Sequence, residues 1–167
     1  MGGRTCWLFK TEPEAYSIDD LERDGAEHWE GIRNYQARNL IRDEIRKGDL
    51  VLFYHSSTNP AGVVGSARVC KAAYPDFTAW DPTSKYFDPK SDPENPRWFM
   101  VDVEFVERFP KLVTLEAMKA DPALEGLMVA KRGVRLSIQP VSPEHFSRVR
   151  ELGGIGKGAA ARKRTRK

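Results

Sequence analysis

Apolar residues come in short blocks along this chain, each closed by a glycine, a proline or a polar cluster. Residues 6–10 are apolar on both faces and predict a central strand. Glu12-Pro13 ends it, because proline lacks a ladder donor and restricts the residue before it. Ser17, with Asp20 three residues on, makes a capping-box-like start to a short helix that Gly25 stops. A second helix is predicted over 35–47, with Leu40, Ile41 and Ile45 on one side and Gly48 as its stop. Strands follow over 49–55 and 63–74, on either side of the turn-rich residues 56–62. Residues 98–109 form a long strand with Phe99, Val101, Val103 and Phe105 alternating. Thr114 caps a helix reaching about Ala120, and residues 133–138 predict a last strand. Ser142-Pro143-Glu144 opens a final helix with proline at its first position, and Gly153-Gly154 breaks it.

Strand, two helices, then several strands with one helix between them suit an α+β fold, a curled sheet or small barrel flanked by helices. A doubly wound parallel sheet would alternate the two element types throughout. No internal repeat is visible. The expected organisation is one domain over 1–153, followed by a tail at 154–167. Residues 75–96 carry five prolines among 22 positions and predict an irregular excursion. A loop of that length in a compact domain is usually functional.

Composition narrows the function. The chain has 167 residues, enough for a real core at 40% hydrophobic content. No apolar run approaches the ~20 residues that span a bilayer, and no secretory leader is visible, so a cytoplasmic location is expected, or a nuclear one in a eukaryotic cell. Cys6 and Cys70 lie far apart in strand-like contexts and are expected to be buried free thiols. The net charge of +3 hides an asymmetry. The tail holds six Lys/Arg and no acid, leaving 21 basic and 24 acidic groups on the rest. Such a body does not coat duplex DNA with a broad positive face; a localised pocket must do most of any recognition, with the expectedly disordered tail adding salt-sensitive adhesion.

Candidate chemistry concentrates in Trp29-Glu30-Gly31-Ile32-Arg33-Asn34-Tyr35-Gln36-Ala37-Arg38-Asn39. An aromatic plane, a glycine, amides and guanidiniums meet there at a predicted helix mouth. Arg33, Asn34, Gln36, Arg38 and Asn39 are too polar for burial without partners. The set suits a flat polar ligand such as a flipped nucleobase, stacked on an aromatic and read along its edge. Asn34 serves equally as a base-edge contact or as the N-cap of the following helix. Arg33 and Arg38 steer phosphates or form a solvated helix face.

Several motifs, in order, resemble the EVE domain family. They are Trp7-Leu8-Phe9-Lys10-Thr11-Glu12-Pro13, the Trp29 stretch, Gly48-Asp49-x-Val51-x-Phe53-Tyr54-His55-Ser56, Pro60-x-Gly62-Val63-Val64-Gly65, Asp88-Pro89-Lys90-Ser91 and Pro96-Arg97-Trp98-x-Met100-Val101-Asp102-Val103. The match covers about residues 5–150. It implies a PUA-like fold related to the YTH domains, which enclose a methylated adenine of RNA in an aromatic cage. It also implies binding of a modified base, modified cytosine first, in DNA or RNA. Trp29 falls where the YTH relatives place a cage wall, against the alternative of a core anchor. Lys10, Thr11 and Glu12 follow the first strand where such a barrel opens. Glu12 suits an exocyclic amine, as cytosine offers, unless it is part of a salt-bridged strand end. Tyr35, Tyr54, His55 and Ser56 join the expected pocket. Among Trp80, Tyr86, Phe87 and Trp98, one or two are expected to cover it, Phe87 and Trp98 foremost.

Two other classes stand beside a non-enzymatic reader. An enzyme would need Glu12, Asp49 and His55 to converge for acid–base work. The sequence has no phosphate-cradling glycine loop, no zinc-deaminase cysteine pair and no nucleophile with a base. His28, His55 and His145 share no ligand spacing, so neither metal nor cofactor is implied. A protein-interaction module that kept the fold is the third class.

Overall fold

A computed structural model describes residues 5–155. The elements in chain order are β1 (Cys6–Thr11), α1 (Ile18–Asp24), β2 (Ala26–His28), α2 (Tyr35–Asp43), β3 (Leu50–His55), β4 (Gly62–Pro75), β5 (Phe99–Thr114), α3 (Leu115–Ala120), β6 (Ile138–Val141) and α4 (Pro143–Leu152). Short 3-10 turns lie at Phe77–Trp80, Pro122–Leu124 and Met128–Ala130. The strands form one mixed, curled sheet in the order β2-β5-β4-β3-β1-β6. β1 and β3 pair in parallel, Cys6 with Leu50 through Thr11 with His55, and the other pairs are antiparallel.

Strand alternation splits the apolar residues between two cores. Trp7 and Phe9 of β1, with Val51 and Phe53 of β3, face a cluster closed by α1 and α2 through Ile18, Leu21, Ala37 and Ile41. Cys6 and Leu8, with Leu52 and Tyr54, face a second cluster closed by Met118, Leu124, Phe146 and Val149. Burial on both faces explains the continuous apolar runs of β1 and β3.

The helix starts follow the sequence closely. Ser17 accepts from the Asp20 amide while Asp20 accepts from the Ser17 amide, a complete capping box. Ser142 caps α4 with Pro143 in its first turn, and Thr114 caps α3. Several boundaries differ from expectation. α2 stops at Asp43 rather than 47, because buried Asp49 accepts from the Arg46 amide and the Trp7 indole and turns the chain out of the helix. β5 continues past Phe109 to Thr114, carrying Pro110 in a bulge: Val63 opposes Val113 and Gly65 opposes Arg108, so four residues face Val64. The last strand is Ile138–Val141, not 133–138. It pairs only with β1 at the sheet edge, where Pro140 needs no partner for its missing N–H. The three-residue β2 was unforeseen. Cys70 is half-buried rather than buried. No helix among the described residues is long and apolar enough to cross a membrane. From residue 156 on, the tail expected to be disordered lies outside the described residues.

Candidate functional site

A cleft of about 900 Å³ opens beside the ends of β1 and β3. The strand ends are tied together there: the Ser56 amide donates to Thr11 O and the Lys10 amide to Ser137 O, both at 2.9 Å. Lys10, Thr11, Glu12 and Ser56 line one part of the cleft, and Val134, Arg135 and Ser137 another. The Thr11 hydroxyl donates to Tyr16 O at 3.0 Å, fixing the corner that leads into α1.

Trp29 belongs to the core and to the cleft at once. It is 8% exposed, with its ring against Phe9, Tyr16 and Phe53 at 5.4–6.3 Å between centroids. Its polar neighbours Glu27, His28 and Glu30 line the same cleft and form a cluster of their own. The His28 ring meets Glu30 at 2.9 Å and Glu27 at 3.4 Å. The indole N–H groups of Trp7, Trp80 and Trp98 donate to Asp49, Ser91 and Asp88. That of Trp29 makes no hydrogen bond among the described residues.

The wall beyond Trp29 is held by a buried carboxylate. Asp76 is fully buried and accepts from the Gly31 amide at 2.9 Å, the Arg33 guanidinium at 3.0 Å and both Thr78 donors. Burial pushes its carboxyl up, but the Thr78, Gly31 and Arg33 hydrogen bonds outweigh that and hold it below the usual carboxylate range. Arg33 also donates to Tyr86 O at 2.7 and 3.1 Å. The Tyr86 ring is thereby pressed onto Gly31, where a Cβ would lie 2.5 Å from it, and Gly31 adopts φ +86°. Within the excursion, Asp76, Asp81, Asp88 and Asp92 each accept from the amide two residues on, so the stretch is a chain of aspartate-built turns.

Lys10, Lys85 and Arg135 supply the positive charge of the cleft, with Glu12, Glu27 and Glu30 opposing. Burial, and then the nearby Arg135, hold the Lys10 ammonium below its ordinary value. Lys85 rests 5.2 Å from the Tyr86 ring centroid.

Of the residues expected from the sequence, the cleft brings together Lys10, Thr11, Glu12, Trp29 and Ser56. The others are occupied elsewhere. Asn34 caps α2, accepting from the Ala37 amide at 2.9 Å. Tyr35 stacks on Trp98 at 4.9 Å, and Arg38 covers Tyr35 while donating to Arg97 O at 2.7 Å. Trp98 is 5% exposed and donates to Asp88 at 2.6 Å. Tyr54 points into the second core, because alternation sends it opposite Phe53. His55 accepts from the Ile18 amide at 3.1 Å and so caps α1. Phe87 is exposed and outside the cleft lining. Arg33 is the clamp on Asp76 rather than a free cation. Tyr86 takes the place expected of Phe87 or Trp98; the signal was Gly31, a glycine that leaves room for a ring. Arg135 was hidden by the strand expected over 133–138.

Comparison with known proteins gives a consistent result. Thymocyte nuclear protein 1 of Gallus gallus is 40% identical over 165 residues, covering 87% of this chain and 67% of that protein. A Pseudomonas syringae protein of known crystal structure is similar with a TM-score of 0.85 at 42% identity, covering 89% of this chain and 99% of that one. Human THYN1, crystallised in complex with 5-methylcytosine-containing DNA, is similar with a TM-score of 0.83 at 35% identity, covering 89% and 97%. These neighbours share the curled mixed sheet flanked by helices, the PUA-like fold. Residues 5–152 match the family profile described as the EVE domain, and the chain therefore belongs to the EVE domain family.

Proposed function

We propose that the protein is a non-catalytic reader that takes a modified nucleobase of DNA, modified cytosine first, into the cleft between Trp29 and Tyr86. The observation that carries this reading is the Trp29 indole N–H, alone among the four tryptophans in lacking a partner among the described residues and set in a wall the core holds still. The cleft volume lies within the roughly 300–1,000 Å³ common for small-ligand sites. A base extruded from its strand brings a flat face for the Tyr86 ring, acceptors for the indole N–H and, in cytosine, an exocyclic amine for Glu12. Stacking on one aromatic contributes ~1–3 kcal/mol. The complex of human THYN1 with 5-methylcytosine-containing DNA supports DNA as the polymer.

The enzymatic alternative needs Glu12, Asp49 and His55 to converge, and among the described residues Asp49 and His55 do not. Asp49 stands just before β3 and His55 at its far end, six residues apart along an extended strand, so roughly 20 Å separates them. Asp49 holds Trp7 and the Arg46 amide, and His55 holds the Ile18 amide.

The test is a titration of labelled oligonucleotides by anisotropy at fixed salt, comparing cytosine, 5-methylcytosine, 5-hydroxymethylcytosine and N6-methyladenine in DNA and RNA. Tighter binding to a modified cytosine in DNA is expected, with the preference reduced in Trp29→Phe, which keeps an aromatic in the core but deletes the N–H. Equal, salt-labile binding to every strand, unchanged in Trp29→Phe, would sink the reading.

A further inference from the structure

Most arginines in the described residues are spent on carboxylates; eight form ion pairs, among them Arg33 with Asp76 and Arg150 with Glu107. The cations of the cleft break that pattern. Lys10, Lys85 and Arg135 make no ion pair among the described residues, although Glu12 lines the same cleft, and of the three only Lys10 is half-buried. Lys10 is half-buried at the end of β1, its ammonium 5.7 Å from the Tyr54 ring centroid. The strand holds it in place, because its amide is bonded to Ser137 O, two residues from Arg135. Burial and the neighbouring guanidinium both disfavour its charge, and no carboxylate offsets them. A half-buried ammonium facing a second cation costs stability in the free protein. An anion entering between them removes that cost.

We infer that Lys10 and Arg135 form a seat for one backbone phosphodiester of the strand whose base occupies the cleft. The inference rests on the proposed reading and adds to it. An extruded base carries its own phosphates, so a fixed pair of donors beside the pocket sets the depth and direction in which the nucleotide enters. Lys10 supplies a point charge from the rigid strand end, and Arg135 supplies a planar fork from the loop that follows the Met128–Ala130 turn. Lys85, exposed beside Tyr86, lies in the same cleft and adds longer-range attraction.

The experiment uses the full chain and a DNA strand carrying one 5-methylcytosine. In parallel strands the phosphodiester on either side of that base is replaced by an uncharged methylphosphonate. In the wild type one of the two replacements is expected to weaken binding roughly tenfold or more, as loss of a charge-assisted contact does. It should also make the slope of log affinity against log salt shallower by about 0.7, the single-strand value for one phosphate. Lys10→Met and Arg135→Gln are each expected to weaken binding to the natural strand and to erase most of the further effect of that replacement. Arg135 is exposed, so its variant stays informative if Lys10→Met folds poorly. Losses that multiply independently, or an unchanged salt slope in both variants, overturn the seat. Equal competition by 5-methyl-2′-deoxycytidine 5′-monophosphate would assign the seat to free nucleotides and overturn the strand assignment. The ratio of methylated to plain cytosine binding, taken from the same titrations, separates the two ideas. If that ratio is one while the coupling persists, the base reading falls and the phosphate seat stands.

Discussion

The two sides of the cleft are built on opposite terms. On one side, Trp29 is packed by three aromatic rings, the Gly31 amide is held by Asp76, and Arg33 is spent on Asp76 and the Tyr86 carbonyl. On the other, Lys10 and Arg135 have no ion-pair partner among the described residues. Apart from the Trp29 indole N–H, the first side has its polar groups satisfied from within and acts as a fixed surface. The second leaves charge unsatisfied. A site that reads a flat base needs both: walls that do not yield when a wrong base enters, and groups whose best partner comes from outside.

The strongest way to break this comparison is to remove the carboxylate under the fixed side. Asp76→Ala strands Arg33 beside the core and unties Gly31 and Thr78, so a loss of about 3–5 kcal/mol is expected in urea unfolding. A loss below about 1 kcal/mol would mean the wall is held by something else. Gly31→Ala comes next. The added methyl meets the Tyr86 ring at 2.5 Å on a backbone at φ +86°, and a cost of about 1–3 kcal/mol is expected. Adding Tyr86→Ala should restore the part due to the clash and leave the part due to the backbone. If the double variant is no better than the simple sum, the ring does not lie on the glycine.

How far these features could be seen beforehand depends on the range of the forces that set them. Caps are local chemistry, and Ser17, Thr114 and Ser142 were legible because a hydroxyl and an amide three residues on settle the helix start. The two-sided apolar runs gave β1 and β3. The end of α2 was not legible, since it depends on Asp49 meeting Trp7 across 42 residues. β6 was displaced because an edge position excuses Pro140, and edge or centre is a tertiary fact. Within the cleft, the strand-end residues Lys10, Thr11, Glu12 and Ser56 followed from the order of strands and the family resemblance. The role of Tyr86, and that of Arg33 in the wall behind it, did not, because Asp76 holds Arg33 and Arg33 holds Tyr86, and Asp76 lies in the excursion that carried no periodic signal.

A smaller effect tests the hinge between the two sides. His55 ends β3 directly before Ser56, and its Nε2 accepts from the Ile18 amide, so the ring must be neutral on that nitrogen. Burial holds its pKa below the ordinary 6.5, with Arg108 acting in the same sense and Asp19 against. The unfolded chain therefore binds this proton more readily than the folded one. The contribution to stability is complete above pH 6.5 and is lost as pH falls through the lower folded value. His55→Gln can still accept from the amide but does not titrate. Its urea midpoint should fall less than that of the wild type between pH 7 and pH 5. Parallel curves would show that the α1 cap does not depend on a neutral ring.

The smallest change in stability belongs to the open side, and there the sign matters more than the size. Arg135 is exposed, makes no ion pair among the described residues and disfavours the charge on Lys10. Replacing it with glutamine takes away a repulsion and no bond, so the stability should change by less than about 0.5 kcal/mol, upward if at all. The same substitution is expected to weaken strand binding. A protein that gains or keeps stability while losing affinity holds its charge there for a ligand. An Arg135→Gln variant that is destabilised by more than about 1 kcal/mol would instead place Arg135 with Arg33, as a structural cation, and the contrast between the two sides would disappear.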